Sequence, residues 1–382
     1  MIRVVCDAAV VKIEEALSPW SNQIELIRLP SGEINSGALK GAHALITRSV
    51  TQVNESLLKH ADDLEFVGTA TIGVDHIDQG YLETRQIKLA SAAGCSKHAV
   101  AQYVIAVIHL LRPQLVNSND LSKKPVLGIV GFGHIGSTLA RYAQALGFDL
   151  LICDPFVASP HPQTSLSELL SQSDVISLHV PLTGQNDADC PHPTHHLIAE
   201  PELALIKPGA LLINSARGAV ISQSALLSAL ESGAFDAALD VFEFEPVISS
   251  ALLMRLALAT PHIAGYSAQG KLNATRLVSA ELGRHFGFGG DTQAPLERFW
   301  LPSDLSGFLP KWYDPRVDEA ALKSCLIDSA DAQTGQLNRL SQPDLKPSKV
   351  TDPTCFEALR RNYSLRTDWG FVNLASGGEP AA

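Results

Sequence analysis

A chain of 382 residues exceeds one typical core and points to two or three domains. Hydrophobic residues make up 46% and charged residues 18%, a globular balance, and the formal net charge is −11. That charge argues against nucleic acid or an anionic membrane surface as a partner, but a small anionic substrate needs only a local basic pocket.

The opening MIRVVCDAAVVKIEEAL puts Asp7, Glu14 and Glu15 where a secretory leader is apolar. The longest apolar-rich run, YVIAVIHLL, is far short of a membrane span. Cysteines at 6, 95, 153, 190, 325 and 355 form no CxxC pair. The expectation is buried or free thiols in a reducing cytoplasm, without a disulfide framework or a zinc site.

In chain order, IRVVCD, HALITRS (43–49) and LEFVGTATIG (64–73) read as short apolar strands. AVAQYVIAVIHLLRP (99–113) has apolar residues at helical spacing and stops at Pro113, as a helix linking two domains would. Residues 123–156, KKPVLGIVGFGHIGSTLARYAQALGFDLLICDPF, read strand, glycine turn, helix, strand. DVISLHVPL (174–182), ALLINSARG (210–218) and DAALDVFE (236–243) continue the strands, with helices such as SQSALLSALESG (222–233) between them. Strands alternating with helices predict an α/β fold with doubly wound parallel sheets. The polar stretch GQNDADCPHPTHH (184–196) reads as a surface loop. From about residue 290 glycine and proline mark a boundary. The tail beyond it holds one helical candidate, CFEALRRNYSLRTDWG (355–370), and ends in ASGGEPAA.

GFGHIG sets Gly131, Gly133 and Gly136 in GxGxxG spacing between a buried-strand pattern and a helix. Gly131 suits a tight turn, Gly133 the approach of a pyrophosphate, and Gly136 close helix–strand packing. His134 and Ile135 then lie at a helix N-terminus facing the phosphates. Asp154 ends the next strand, placed to accept hydrogen bonds from ribose hydroxyls and to repel a 2′-phosphate. Pro155 and Phe156 supply no arginine, so NAD is favoured over NADP.

Three further stretches end predicted strands: INSARGAVI with Arg217, DVFEFEP with Glu245, and TPHIAGY with His262. Open α/β sheets bind ligands beyond the C-terminal strand ends. Hydride transfer from a 2-hydroxy acid wants this trio. An unperturbed imidazole titrates near working pH, so His262 suits the base that takes the hydroxyl proton. Glu245 orients it and stabilises its charged form, and Arg217 offers a planar fork to the substrate carboxylate. Arg48 and Ser49 at one strand end, with Thr69 and Thr71 in the loop after another, suit a phosphate or ordinary turn chemistry alike.

GFGHIG, SARG, DVxxxEP and TPHIAG occur in this order over roughly residues 40–270, and in this the chain resembles the D-2-hydroxyacid dehydrogenase family. The resemblance implies two Rossmann-like domains, the NAD domain (99–264) inserted in the substrate domain (1–98 and 265–289), and the same division of labour among Arg217, Glu245 and His262. ITRSVTQVNESLL, FVGTATIGVDHID, SAAGCS and HIAGYSAQGK, with YDPRVDEAAL and FEALRRNY in the tail, resemble a branch acting on a phosphorylated 2-hydroxy acid. That branch implies a small C-terminal α+β dimerisation domain (290–382) and a homodimer. It also implies that Ser49, Thr71 and Tyr266 contact substrate, with Arg48 beside them, and that Ser215, Ala216, Asp240 and Gly265 join the NAD site. Phe244 stands where the family usually has glycine, and Ser96-Lys97-His98 replaces a more usual Asn followed by small or apolar residues. Another family member, such as a phosphoglycerate enzyme, and an NAD(H)-sensing binding protein on this fold remain the alternatives.

Overall fold

The computed structural model describes residues 1–116, 124–157, 160–161, 163–184, 190–290, 293–329 and 349–372. Residues 185–189 of the polar loop and the terminal ASGGEPAA lie outside them. The chain divides into two compact units, Met1–Lys97 with Ser267–Arg298, and His98–Tyr266 with Phe299–Ala382. The segment 290–382 therefore begins in the first unit and continues from Phe299 in the second.

The first unit holds a parallel sheet of β1 (Ile2–Asp7), β2 (Ile24–Leu29), β3 (Ala44–Thr47), β4 (Phe66–Thr69) and β5 (Lys88–Ser91), in the order β2-β1-β3-β4-β5. β3 and β4 are buried along their whole length, which is why they read as apolar runs. The edge strands β2 and β5 escape that reading: IELIRL and KLAS keep charged side chains because an edge stays half in solvent. Helix Ala268–His285 returns to this unit and packs Ala274, Val278 and Leu282 against Val4, Ile46 and Phe66.

The second unit holds β6 (Val126–Val130), β7 (Asp149–Cys153), β8 (Val175–Leu178), β9 (Leu211–Asn214), β10 (Asp236–Leu239) and β11 (Leu258–Ala259), all parallel, in the order β11-β10-β9-β8-β6-β7. The strand order reverses at β6, so the crevice beyond its C-terminal end is the topological switch point. Both sheets are Rossmann-like. Among the described residues no helix is long and apolar enough to cross a membrane.

The tail departs from the sequence reading in two ways. The helix expected over 355–370 ends at Arg361, because Arg366 and Trp369 are drawn into the core instead. Helices Leu305–Trp312 and Pro315–Ser324 were hidden by their prolines. Pro315 takes the first helical position, where its missing N–H costs nothing, and Asp314 caps it by accepting from Arg316 N. A short antiparallel pair, β12 (Leu326–Asp328) and β13 (Lys349–Thr351), completes the tail. Leu305, Leu309 and Trp369 join one apolar cluster of the second unit, and Leu322 and Phe356 join the other.

The expectation of six free thiols is corrected. Cys325 and Cys355 form a disulfide, and Cys6, Cys95, Cys153 and Cys190 remain outside any disulfide. The bond joins a helix C-terminus to the first turn of a helix 30 residues on, a proximity that spacing alone does not reveal.

Candidate active site

The glycine turn sits at the switch point. Gly131 takes φ 92°, and a Cβ there would lie 2.6 Å from the His179 carbonyl oxygen, so only glycine fits. A Cβ on Gly136 would run into the Gly131 carbonyl oxygen, whereas one on Gly133 would meet nothing within 4 Å. The open peptide face is therefore at the middle glycine, where a pyrophosphate needs it. His134 and Ile135 open helix His134–Ala145, whose first N–H groups face the same space.

Asp154 follows β7 and uses both oxygens on the backbone. Oδ2 accepts from Phe132 N at 2.7 Å, inside the glycine turn, and Oδ1 accepts from Phe156 N and Val157 N at 2.9 and 3.1 Å. It thus ties the acid to the shape of the turn. After β9, Asn214 shapes the SARG loop by accepting from Ala216 N at 3.0 Å and donating to the Arg217 carbonyl at 2.9 Å. Ser215 Oγ in that loop is buried with no partner among the described residues, a vacancy in hydrogen bonding that suits a bound polar ligand. The open Gly133 face and this hydroxyl fit a dinucleotide.

β9, β10 and β11 are neighbours, so the segments carrying Arg217, Glu245 and His262 leave the same edge of one sheet. His262 Nδ1 lies 2.7 Å from Glu245 Oε1, and Glu245 Oε2 accepts from Phe242 N at 3.2 Å. Burial disfavours the Glu245 carboxylate, but the His262 charge and hydrogen bond, with Arg360 and the Phe242 N–H, outweigh it and hold its pKa below the usual value. Arg217 Nη1 donates to the Ala216 carbonyl at 2.8 Å. Glu243 anchors the same loop as Glu245: His196 Nε2 lies 2.7 Å from its Oε1, and Gln223 N donates to its Oε2 at 2.8 Å. Phe244 is accommodated between these two anchored glutamates, half-buried.

His262 has φ 57°, a left-handed conformation that a non-glycine residue holds only under constraint. The constraint comes partly from Asp240. Its carboxylate accepts from Thr260 Oγ1 at 2.6 Å and from Ile263 N and Ala264 N at 2.8 Å each. Asp240 is buried, and that burial raises its pKa against the opposing pull of His262 and these donors. Expected at the cofactor, its oxygens serve the segment around the histidine. Gly265 and Tyr266 complete that segment, and the Tyr266 ring meets Tyr363 edge-on at 5.8 Å. His98 faces the Tyr142 hydroxyl at 3.1 Å, so this departure from the family pattern has a packing partner.

In the first unit, Arg48 Nε pairs with the buried Asp7 at 3.1 Å, and Ser49 beyond it is exposed. The Thr69 and Thr71 hydroxyls lie 2.7 Å apart, with His76 Nε2 3.2 Å from Thr69. Sequence reasoning missed Lys271, although HIAGYSAQGK contains it. Burial and then the nearby Arg48 charge lower its pKa, the mark of two cations converging.

With this geometry in view, the comparisons with known proteins are informative. Residues 102–264 match the family model of the D-isomer specific 2-hydroxyacid dehydrogenase NAD binding domain. Proteins named erythronate-4-phosphate dehydrogenase are similar nearly end to end. That of Psychrobacter cryohalolentis is 40% identical over 96% of this chain and 97% of its own, and that of Acinetobacter baumannii 39% over 90% of each. Among solved structures, Rhodotorula graminis D-mandelate dehydrogenase aligns with TM-score 0.64 and 27% identity over 79% of this chain and 99% of its own. The D-lactate dehydrogenase of Aquifex aeolicus, solved with NAD and lactic acid, aligns with TM-score 0.58 and 27% identity over 75% of this chain and 96% of its own. Fold and site together define an NAD-dependent dehydrogenase. The chain belongs to the D-isomer specific 2-hydroxyacid dehydrogenase family.

Proposed function

We propose that the protein is an erythronate-4-phosphate dehydrogenase. It oxidises 4-phospho-D-erythronate at C2 to (R)-3-hydroxy-2-oxo-4-phosphooxybutanoate, on the route to pyridoxal 5'-phosphate. The observation that carries this reading is the 2.7 Å contact between His262 Nδ1 and Glu245 Oε1, in a chain matched almost end to end by relatives of that name.

His262 turns its other nitrogen to the C2 hydroxyl and takes the proton. Glu245 holds the ring in one tautomer and steadies the charge that forms. Arg217 grips the substrate carboxylate through its fork and polarises C2. NAD held by the cofactor-site residues would supply the acceptor for the C2 hydride. Ser49, Thr71 and Tyr266 contact substrate, and Arg48 with Lys271 takes the phosphate. Gly131, Gly133, His134, Ile135, Gly136, Asp154, Ser215, Ala216, Arg217, Asp240 and Gly265 form the cofactor site. The tail, 290–382, serves as a dimerisation module of a cytoplasmic homodimer. The metabolic role of the relatives supports that location.

Two substitutions test the assignment of groups. Lys271→Met lowers kcat/KM for the phosphorylated acid roughly tenfold, the loss of one charge-assisted contact worth about 1.4 kcal/mol, and leaves D-erythronate unaffected. An equal loss on both acids removes Lys271 from the phosphate. Asp154→Ala weakens NAD roughly tenfold and NADP less, measured by titration of each cofactor. Unchanged affinity for both takes Asp154 away from the ribose.

A further inference from the structure

We propose that Arg366, in the tail, is a positioning residue for the acid–base step: it locks the peptide segment that follows His262 and so keeps the imidazole against Glu245. This rests on the reading of His262 as the base.

The peptide groups of Ile263 and Ala264 are gripped on both edges. On one edge Asp240 accepts from their two N–H groups at 2.8 Å each. On the other, Arg366 Nη2 donates to their two carbonyls at 2.9 and 2.7 Å. Asp240 is 1% exposed and Arg366 7%, so neither charge is shielded by bulk water. The Ile263–Ala264 peptide is thus held at its N–H by the carboxylate and at its carbonyl by the guanidinium, which polarise it in the same sense and strengthen both bonds.

The seat of Arg366 is built for it. Its guanidinium carbon lies 4.4 Å from the ring centroid of Tyr313, 5.5 Å from Tyr363 and 5.9 Å from Tyr103, within cation–π range of all three. Nη1 donates to the Tyr363 hydroxyl at 2.6 Å. The Tyr313 and Tyr363 hydroxyls in turn donate to Asp318 Oδ2 at 2.7 and 3.3 Å. On the far side, the Tyr103 hydroxyl lies 2.6 Å from Thr260 Oγ1, which itself donates to Asp240. Three of these residues, Tyr313, Asp318 and Tyr363, come from the tail, so the tail builds the clamp.

The clamp acts where constraint is needed. His262 is left-handed at φ 57°, a strained conformation that persists only when the surroundings over-determine it. Without Arg366 the Ala264 carbonyl loses this donor in a buried place, the Ile263 carbonyl keeps the Tyr266 N–H at 2.9 Å, and the segment gains freedom to relax. Relaxation of residue 262 toward negative φ swings the ring away from Glu245. Lysine does not replace arginine here, because a point charge on a flexible stem lacks the planar spread of donors.

The test uses the full-length protein. The hydrogen-bonded Nδ1 proton of His262 gives a low-field proton NMR resonance, assigned by its loss in His262→Gln. In Arg366→Met that resonance disappears and turnover falls roughly thirtyfold or more, about 2 kcal/mol of barrier. NAD affinity falls far less than turnover, because the glycine turn, Asp154 and Ser215 lie outside the clamp and only Asp240 and Gly265 of the proposed cofactor site adjoin it. Arg366→Lys shows the same pattern to a smaller extent. A wild type without the resonance, an Arg366→Met protein that keeps it, or loss of NAD binding in step with turnover overturns the proposal. If Arg366→Met does not fold, Tyr363→Phe decides: a shifted or weakened resonance supports the clamp, and an unchanged one overturns it. The resonance is read without substrate, so failure of the wild type to oxidise 4-phospho-D-erythronate contradicts the proposed function and leaves this test standing.

Discussion

Replacing His262 with glutamine is expected to cut turnover by roughly 10²–10⁴-fold, the usual contribution of a positioned base, while NAD still binds. Glutamine keeps a donor that reaches Glu245 but has no site of suitable basicity for the hydroxyl proton. Most of the cofactor features lie away from the imidazole: the glycine turn at 131–136, its tie to Asp154, and the Ser215 hydroxyl. Steady-state rates and a fluorescence titration of NAD separate the two effects. Near-normal turnover in His262→Gln sinks the base assignment, and loss of NAD binding makes the residue a structural one.

Glu245→Gln is expected to lower turnover roughly a thousandfold, because a neutral amide neither fixes the tautomer nor stabilises the charged ring. It also changes stability in a defined pH window. The His262 contact holds the folded-state pKa of Glu245 below its ordinary value, despite burial. Such a group stabilises the fold fully above its unfolded pKa of about 4.3, and that stabilisation is lost as pH falls through the depressed folded value. Wild type therefore melts above Glu245→Gln at neutral pH, and the gap narrows below about pH 4. A gap that stays constant down to strong acid contradicts the coupling of this pair.

Much of this was legible in the sequence, for physical reasons. Parallel strands buried on both faces write themselves as apolar runs, so β3, β4, β6, β8 and β9 were found. The edge strands β2 and β5 were not, because an edge mixes charge with apolar residues. The glycine spacing carried information because each glycine meets a different neighbour: a carbonyl, open space, a second carbonyl. His262 and Glu245 were paired by strand-end logic, and the structure brings them within 2.7 Å.

What the sequence hid is long-range. Arg366 lies 102 and 103 residues from the carbonyls it holds, and no local pattern marks it apart from other arginines of the tail. The Cys325–Cys355 bond depends on two helix ends meeting, as does the burial of Leu322 and Phe356. Asp240 was expected at the cofactor because the family resemblance implied it. Its bonds to Thr260, Ile263 and Ala264 show a nearer use that only the fold reveals.

The most direct test of the account mixes the purified protein with NAD, 4-phospho-D-erythronate and an α-keto acid as electron sink, and follows formation of the 2-oxo product. 3-Phosphoglycerate and D-lactate serve as parallel substrates. The account predicts selective oxidation of the four-carbon phosphate. Preference for another 2-hydroxy acid contradicts the substrate assignment, and no turnover with any of them, alongside tight NAD binding, contradicts the enzyme itself in favour of a cofactor-sensing protein.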